Sequence, residues 1–375
     1  MNTFIHARQG NANGQSRITA LDGWRGVSIL LVICGHLVEY RWRGSPQAFT
    51  SQLADVFATL GVCIFFVISG LIITKLALRE HDISTRFSAS NFYIRRLIRI
   101  VPPLYVYLLF VLLLTASGSI TQNNYQTLKA AAFVCNLPQS ACGWFAGHSW
   151  SLAYEEQFYL LFPFLFILLG RHMRVVISFL FLILVGVPLM RYALHLGQPW
   201  FMIAHATFYF SFICAGSLVA SYSDAMKRLC SSRNAMLISC AAVLLLGATL
   251  ALDLVAHANP AWGRLSRAQA LLIPALQPLC VAWLVGASVY ARGWSQRVLN
   301  AGPLQFAGMI SYSLYLWQQV FTSDPSNYRG AHWLLFYPLL IVCAGLSYYF
   351  VEQPCVRFAK HLTRPPARIQ HPAAC

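Results

Sequence analysis

Leu21-Asp22-Gly23-Trp24-Arg25-Gly26-Val27-Ser28-Ile29-Leu30-Leu31-Val32-Ile33-Cys34-Gly35-His36-Leu37-Val38 reads as an apolar helix that carries two costly side chains, Arg25 and His36. A helix turns by about 100° per residue, so the eleven positions between them make roughly 1100°, within about 20° of three full turns. The guanidinium and the imidazole therefore share one face, roughly 16 Å apart along the axis at about 1.5 Å per residue. Ionisable groups are expensive inside a membrane helix, and two on one stripe mark a functional site by default. The alternative is that Arg25 snorkels to a headgroup and His36 is a satisfied packing residue.

The rest of the chain supports a membrane setting. Of 375 residues, 58% are hydrophobic and only 10% are charged, against about 25% charged in a typical soluble domain. A single soluble core cannot hide that much apolar surface. The expected fold class is all-α, a polytopic transmembrane bundle of about ten spanning helices, N-in and C-in. The spans are placed at 24–40, 53–74, 100–118, 150–169, 175–195, 201–221, 235–255, 269–290, 304–322 and 333–353. The apolar stretch 131–137 is too short to cross and reads as re-entrant or interfacial.

Orientation follows from the basic residues. With the N-terminus inside and the loops assigned alternately, nineteen of the 27 Lys and Arg fall on the cytoplasmic side and seven outside, Arg25 lying within the first span. That split matches the positive-inside rule and absorbs much of the net charge of +16, so no nucleic-acid partner is needed. Residues 1–20 are polar with no apolar core, so the first span is expected to stay as an anchor after a cytoplasmic tail. Residues 21–356 form the membrane domain, and 357–375 a cytoplasmic tail expected to be disordered. The eleven Cys show no metal-ligand spacing, and no metal is expected. Cys135 and Cys142 share a predicted outer loop, where an oxidising compartment permits a disulfide without requiring one.

Three further blocks carry chemistry. Tyr93-Ile94-Arg95-Arg96-Leu97-Ile98-Arg99-Ile100-Val101-Pro102 clusters guanidiniums at the mouth of the third span. Arg96 and Arg99 are helix-face neighbours, as are Arg95 and Arg99, and such a group suits phosphate oxygens, or else anchors on anionic lipid. His148-Ser149-Trp150-Ser151-Leu152-Ala153-Tyr154-Glu155-Glu156 opens the fourth span from outside. Its adjacent carboxylates point about 100° apart, so one turns inward. Glu155 is placed at a depth similar to that of His36 and is its candidate partner, with Glu39 as rival at helical spacing. Ser311 to Gln319 offers polar groups, Tyr312 among them, that line a cavity or bond neighbouring helices. The Ser69-Gly70 region reads as close helix packing, and Glu352-Gln353-Pro354 as a helix stop.

Taken together, these blocks resemble the acyltransferase-3 family of bacterial integral membrane proteins, which includes O-acetyltransferases of O-antigen and other surface polysaccharides. The match runs in order over about residues 17–355: Leu21 to Gly26 through His36, Phe65 to Gly70, Arg95 to Pro102, His148 to Tyr159, Ile310 to Trp317, and Glu352-Gln353-Pro354. Trp24 stands where Leu is commoner and Ala153-Tyr154 where Ser-Val is usual, and neither change removes a polar group. The stand-alone form is expected, with no fused esterase-like domain.

The resemblance implies transfer of an acyl group, most often acetyl, from cytoplasmic acyl-CoA to a hydroxyl of a cell-surface or lipid-linked carbohydrate, in the bacterial inner membrane. Arg25, Arg96, Arg99 and Arg95 would hold the CoA phosphates. His36 would act as base, or else through an acyl-histidine, with Glu155 or Glu39 supporting the imidazolium. Trp150, Ser151, Glu39 and Tyr312 are the expected acceptor contacts. The competing class is a proton-coupled transporter of an organic anion, with His36 and Glu155 as relay and the arginines as entrance. No pair of interrupted helices in corresponding halves supports it.

Overall fold

The computed structural model describes residues 18–41, 48–84, 87–137, 141–197, 200–258, 263–291, 293–323, 325–329 and 337–363. Lipid offers no partners for backbone amides, so a chain this apolar satisfies them within each segment, as helices. In order these are α1 (Thr19–Arg41), α2 (Ala48–Ser84), α3 (Ala89–Ala116), α4 (Asn124–Ala131), α5 (Gly143–Gly147), α6 (Ser149–Leu169), α7 (Met173–Ala193) and α8 (Trp200–Ser221). Then follow α9 (Ser223–Cys230), α10 (Ala235–Ala258), α11 (Gly263–Tyr290), α12 (Trp294–Leu299), α13 (Gly302–Met309), α14 (Ser311–Phe321), α15 (Pro338–Ser347) and α16 (Gln353–Leu362). Among the described residues no strand forms beyond one isolated bridge, Ile120 to Tyr328. Nine helical segments among them are long and apolar enough to cross a membrane, and the protein is a multi-pass integral membrane protein.

The centre of the bundle is α2. Its most apolar window is 67% buried inside the protein, against 11% for Ala235–Ala256 in α10, which therefore faces lipid. α1 and α8 pack on either side of α2, and α13 covers the N-terminal half of α1. Close approach depends on glycine at the crossings. A Cβ on Gly70 would run into the Ile213 carbonyl of α8, and one on Gly216 into the Val67 carbonyl of α2. The expected packing role of the Gly70 region holds at this contact.

Two predicted spans differ in shape. The stretch 304–322 is delivered as two helices, α13 and α14, broken at Ile310 (φ −96°, ψ 11°). A break at membrane depth is tolerated only where protein covers it, and α14 is buried from Ser313 to Phe321. At the other end, Glu352-Gln353-Pro354 does not stop the helix. The chain leaves α15 through a π-turn over Tyr348–Glu352 and continues as α16, with Pro354 in the first turn where no amide donor is missed. Residues 357–362, expected to be disordered, are thus helical, and Ala359 is buried where α16 meets α3. Residues 364–375 and 1–17 lie outside the described residues.

The segment 131–137 forms turns, with Phe133 at φ 55°, and is closed by a disulfide between Cys135 and Cys142. The bond ties the end of this segment to the start of α5, and the Ser149 hydroxyl at the head of α6 donates to Cys135 Sγ (3.0 Å).

Candidate active site

The uninterrupted α1 keeps Arg25 and His36 on one face, so their axial separation of roughly 16 Å stands. They open into two cavities. The first spans about 700 Å³, part of it open to solvent, and is lined by Arg25, by Arg96 and Arg99 of α3, by Ser69 of α2, by Ser151, Glu155 and Tyr159 of α6, and by Tyr312 of α14. Three guanidiniums from two helices face one space. Among the described residues none of the three has a carboxylate within ion-pair distance. Glu155 and Glu352 lie near enough to Arg25 for their charges to be felt, and Glu352 likewise reaches Arg99.

Arg96 is held by its planar face. Its guanidinium carbon sits 5.8 Å from the Phe92 ring centre and 5.2 Å from that of Tyr159, which fixes the group while leaving its N–H edge to bind. The Tyr159 hydroxyl donates to Glu155 Oε2 (3.2 Å) and is hydrogen-bonded to the Ser69 hydroxyl. Tyr312 donates to the Ile100 carbonyl (2.7 Å), joining α14 to the arginine-bearing turn of α3. Arg95 is elsewhere: it pairs with Glu80 of α2 at 3.0 Å and does not line the cavity.

The second cavity, of about 680 Å³, is lined by His36 and Val32 of α1, by Asp55, Ala58, Thr59 and Val62 of α2, by Trp144 and Gly147 of α5, and by His148, Trp150, Tyr315 and Gln319. The Trp144 ring stands edge-on to His36, centroids 5.4 Å apart, and its Nε1 donates to the Gln319 carbonyl (2.9 Å). Val62 and Tyr315 line both cavities and form the wall between them. The Tyr315 hydroxyl is anchored there to Ser151 (2.6 Å) and donates to the His148 carbonyl (2.9 Å).

The structure does not bring Glu155 to His36. Glu155 lies about two turns beyond the start of α6, at the level of Arg25 rather than of His36, and the space beside His36 is taken by Trp144 and His148. The expected acceptor contacts divide likewise: Trp150 lines the His36 cavity, whereas Ser151 and Tyr312 line the arginine cavity. The side chain of Glu39 lies outside the described residues.

The model of the acyltransferase domain family (Acyl_transf_3) matches residues 18–352, a range that holds both cavities. The chain belongs to the acyltransferase-3 family. It is 28% identical over 367 residues to a "putative O-acetyltransferase" of Staphylococcus aureus strain COL, covering 90% of this chain and 57% of the relative. To the "putative peptidoglycan O-acetyltransferase YrhL" of Bacillus subtilis strain 168 it is 25% identical over 366 residues, 90% of this chain and 54% of the relative. To the O-acetyltransferase OatA of S. aureus strain NCTC 8325 it is 27% identical over 370 residues, covering 90% and 57%. The chain thus spans just over half the length of the curated relatives it matches. No solved structure matches it.

Within this acyltransferase-3 domain, several residues in or beside the cavities escaped the sequence reading. Glu352 is 4% exposed and accepts a hydrogen bond from Ser313 (3.0 Å), so it is a buried counter-charge at the arginines as well as part of a helix turn. The signal was available: a carboxylate in an apolar span is rare in a chain with only eleven Asp and Glu. Asp55, near the head of a predicted span, gave the same signal. Trp144 gave none, since aromatic residues are ordinary in apolar segments. Tyr315, by contrast, belongs to the Ser311–Gln319 stretch expected to line a cavity or bond neighbouring helices, and it does both.

Proposed function

We propose that this protein transfers an acyl group, acetyl in the first instance, from cytoplasmic acyl-CoA to a hydroxyl of a cell-surface or lipid-linked carbohydrate. The observation that carries the reading is the three guanidiniums, without ion pairs among the described residues, in a cavity that shares a wall with the His36 cavity. Guanidinium N–H groups match phosphate oxygens in charge and geometry, so the donor's phosphates fit at Arg25, Arg96 and Arg99. Its extended arm then runs along α1 for roughly 16 Å, past Val62 and Tyr315, toward His36. In this reading the protein sits in a bacterial inner membrane with both termini on the cytoplasmic side, an orientation supported by the distribution of Lys and Arg.

His36 takes the proton of the acceptor hydroxyl as its oxygen attacks the thioester carbon. Glu155, hydrogen-bonded by Tyr159, holds the arginine cavity in order rather than the imidazole. Asp55 supplies the carboxylate in the His36 cavity, and Trp150 and Trp144 offer apolar faces of the kind that sugar rings stack on. The relatives' names, O-acetyltransferase and peptidoglycan O-acetyltransferase, accord with a carbohydrate acceptor.

Membranes carrying the protein, incubated with radiolabelled acetyl-CoA, should place label on glycan. His36→Ala should lower transfer by at least ~10²-fold, the scale of a lost general base, at a normal protein level. Full activity in that variant refutes the base assignment. Movement of an anion across the membrane without any labelled glycan would instead support the transporter.

A further inference from the structure

His148 sits at the joint of α5 and α6, 4% exposed, in the wall of the His36 cavity. Its ring is wedged edge-on between Tyr107 and Tyr315, at centroid distances of 5.3 Å and 5.4 Å. Neither Nδ1 nor Nε2 has a hydrogen-bond partner among the described residues. That is unusual. A neutral imidazole carries one N–H donor and one acceptor, and leaving buried polar atoms unpaired costs the full desolvation of each. The backbone there is fixed: the His148 carbonyl accepts from Tyr315 (2.9 Å) and Ser151 (3.3 Å), and the nearby disulfide closes the preceding segment. A rigid ring with an unmade hydrogen bond, in a cavity that already holds a base, has the attributes of a preorganised donor.

We propose that His148 is a second catalytic residue, whose ring N–H donates to the oxyanion formed on the acyl carbon. The inference rests on the acyl-transfer reading above. Attack by the acceptor oxygen forms the C–O bond and moves the carbonyl electron pair onto oxygen, where His148 meets it. Collapse restores the carbonyl and breaks the C–S bond, and the departing thiolate takes up the proton that His36 removed from the hydroxyl. His148 gains and loses no proton. The assignment divides the work between two imidazoles of one cavity, so that they need not both be charged at once, which like-charge repulsion would oppose.

The test uses the full-length protein in reconstituted membranes, with acetyl-CoA and a carbohydrate acceptor. His148→Ala should lower kcat by ~10²–10³-fold, the range for a lost oxyanion donor, with KM for acetyl-CoA within about twofold because the phosphate site is untouched. His148→Gln keeps a side-chain N–H and should recover part of the loss, whereas His148→Phe, which refills the ring volume without a donor, should not. The acid limb of the pH profile should stay where it is in His148→Gln, because the assigned role gives His148 no proton to gain or lose. Wild-type kcat in the alanine variant, equal activity of the glutamine and phenylalanine variants, or loss of the acid limb would each overturn the role. If the alanine variant does not fold, the glutamine and phenylalanine pair decides. Absence of transfer by the wild type defeats the acyl-transfer reading itself, whereas transfer by the wild type and by His148→Phe alike defeats only this inference.

Discussion

Arg95 and Arg96 are adjacent in sequence yet have different surroundings. The turn of about 100° between them sends Arg96 into the cavity beneath Tyr159 and Arg95 toward Glu80. Arg96→Ala should therefore raise KM for acetyl-CoA by about tenfold or more, since a charge-assisted bond to phosphate contributes about 1.5–3 kcal/mol. Arg95→Ala should leave KM within about twofold, because its charge is already engaged at a half-exposed site. Steady-state kinetics of the two variants checks both outcomes, and a larger effect at Arg95 would contradict the geometry. In the sequence the arginines look equivalent. What separates them is a carboxylate on another helix, which spacing along α3 cannot reveal.

The helices act as elements chiefly through how closely they meet. Gly70 and Gly216 let α2 and α8 touch backbone to backbone, whereas Gly186 of α7 has open space where a Cβ would go. Gly70→Val should therefore lower the thermal midpoint of the detergent-solubilised protein, or its folded yield, by an amount equivalent to at least ~1–3 kcal/mol of overpacking. Gly186→Val should change neither. Equal behaviour of the two variants, measured by thermal shift and size-exclusion yield, would remove the close crossing from its role. The broken span at Ile310 and the π-turn before Glu352 belong to the same scale. Both look like continuous apolar runs in the sequence, and both carry polar side chains to the arginines: Tyr312 lines the arginine cavity, and Glu352 lies behind it within reach of the charges of Arg99 and Arg25.

For the whole molecule, the proposed chemistry requires the arginine side to face the acyl-CoA pool. With both termini inside, a cysteine placed at Ser232, between α9 and α10, should be shielded in intact cells from a membrane-impermeant maleimide. One at Asn123, before α4, should react. The reversed pattern would put the donor site on the wrong side and defeat a cytoplasmic donor. The sequence by itself determined the membrane class, the helical architecture and the Arg25–His36 stripe. Each is local: hydropathy accumulates along the chain, lipid forces backbone bonds into the same segment, and a helix converts spacing into direction. Only the tertiary structure decided which charged groups share a cavity. It set Glu155 and Glu352 near the arginines, paired Arg95 with Glu80, and put Asp55, Trp144 and His148 around His36. These neighbours come from different helices, some consecutive and some far apart in sequence, and their meeting depends on crossings, breaks and the Cys135–Cys142 closure, which follow from how surfaces pack rather than from the period of any one helix.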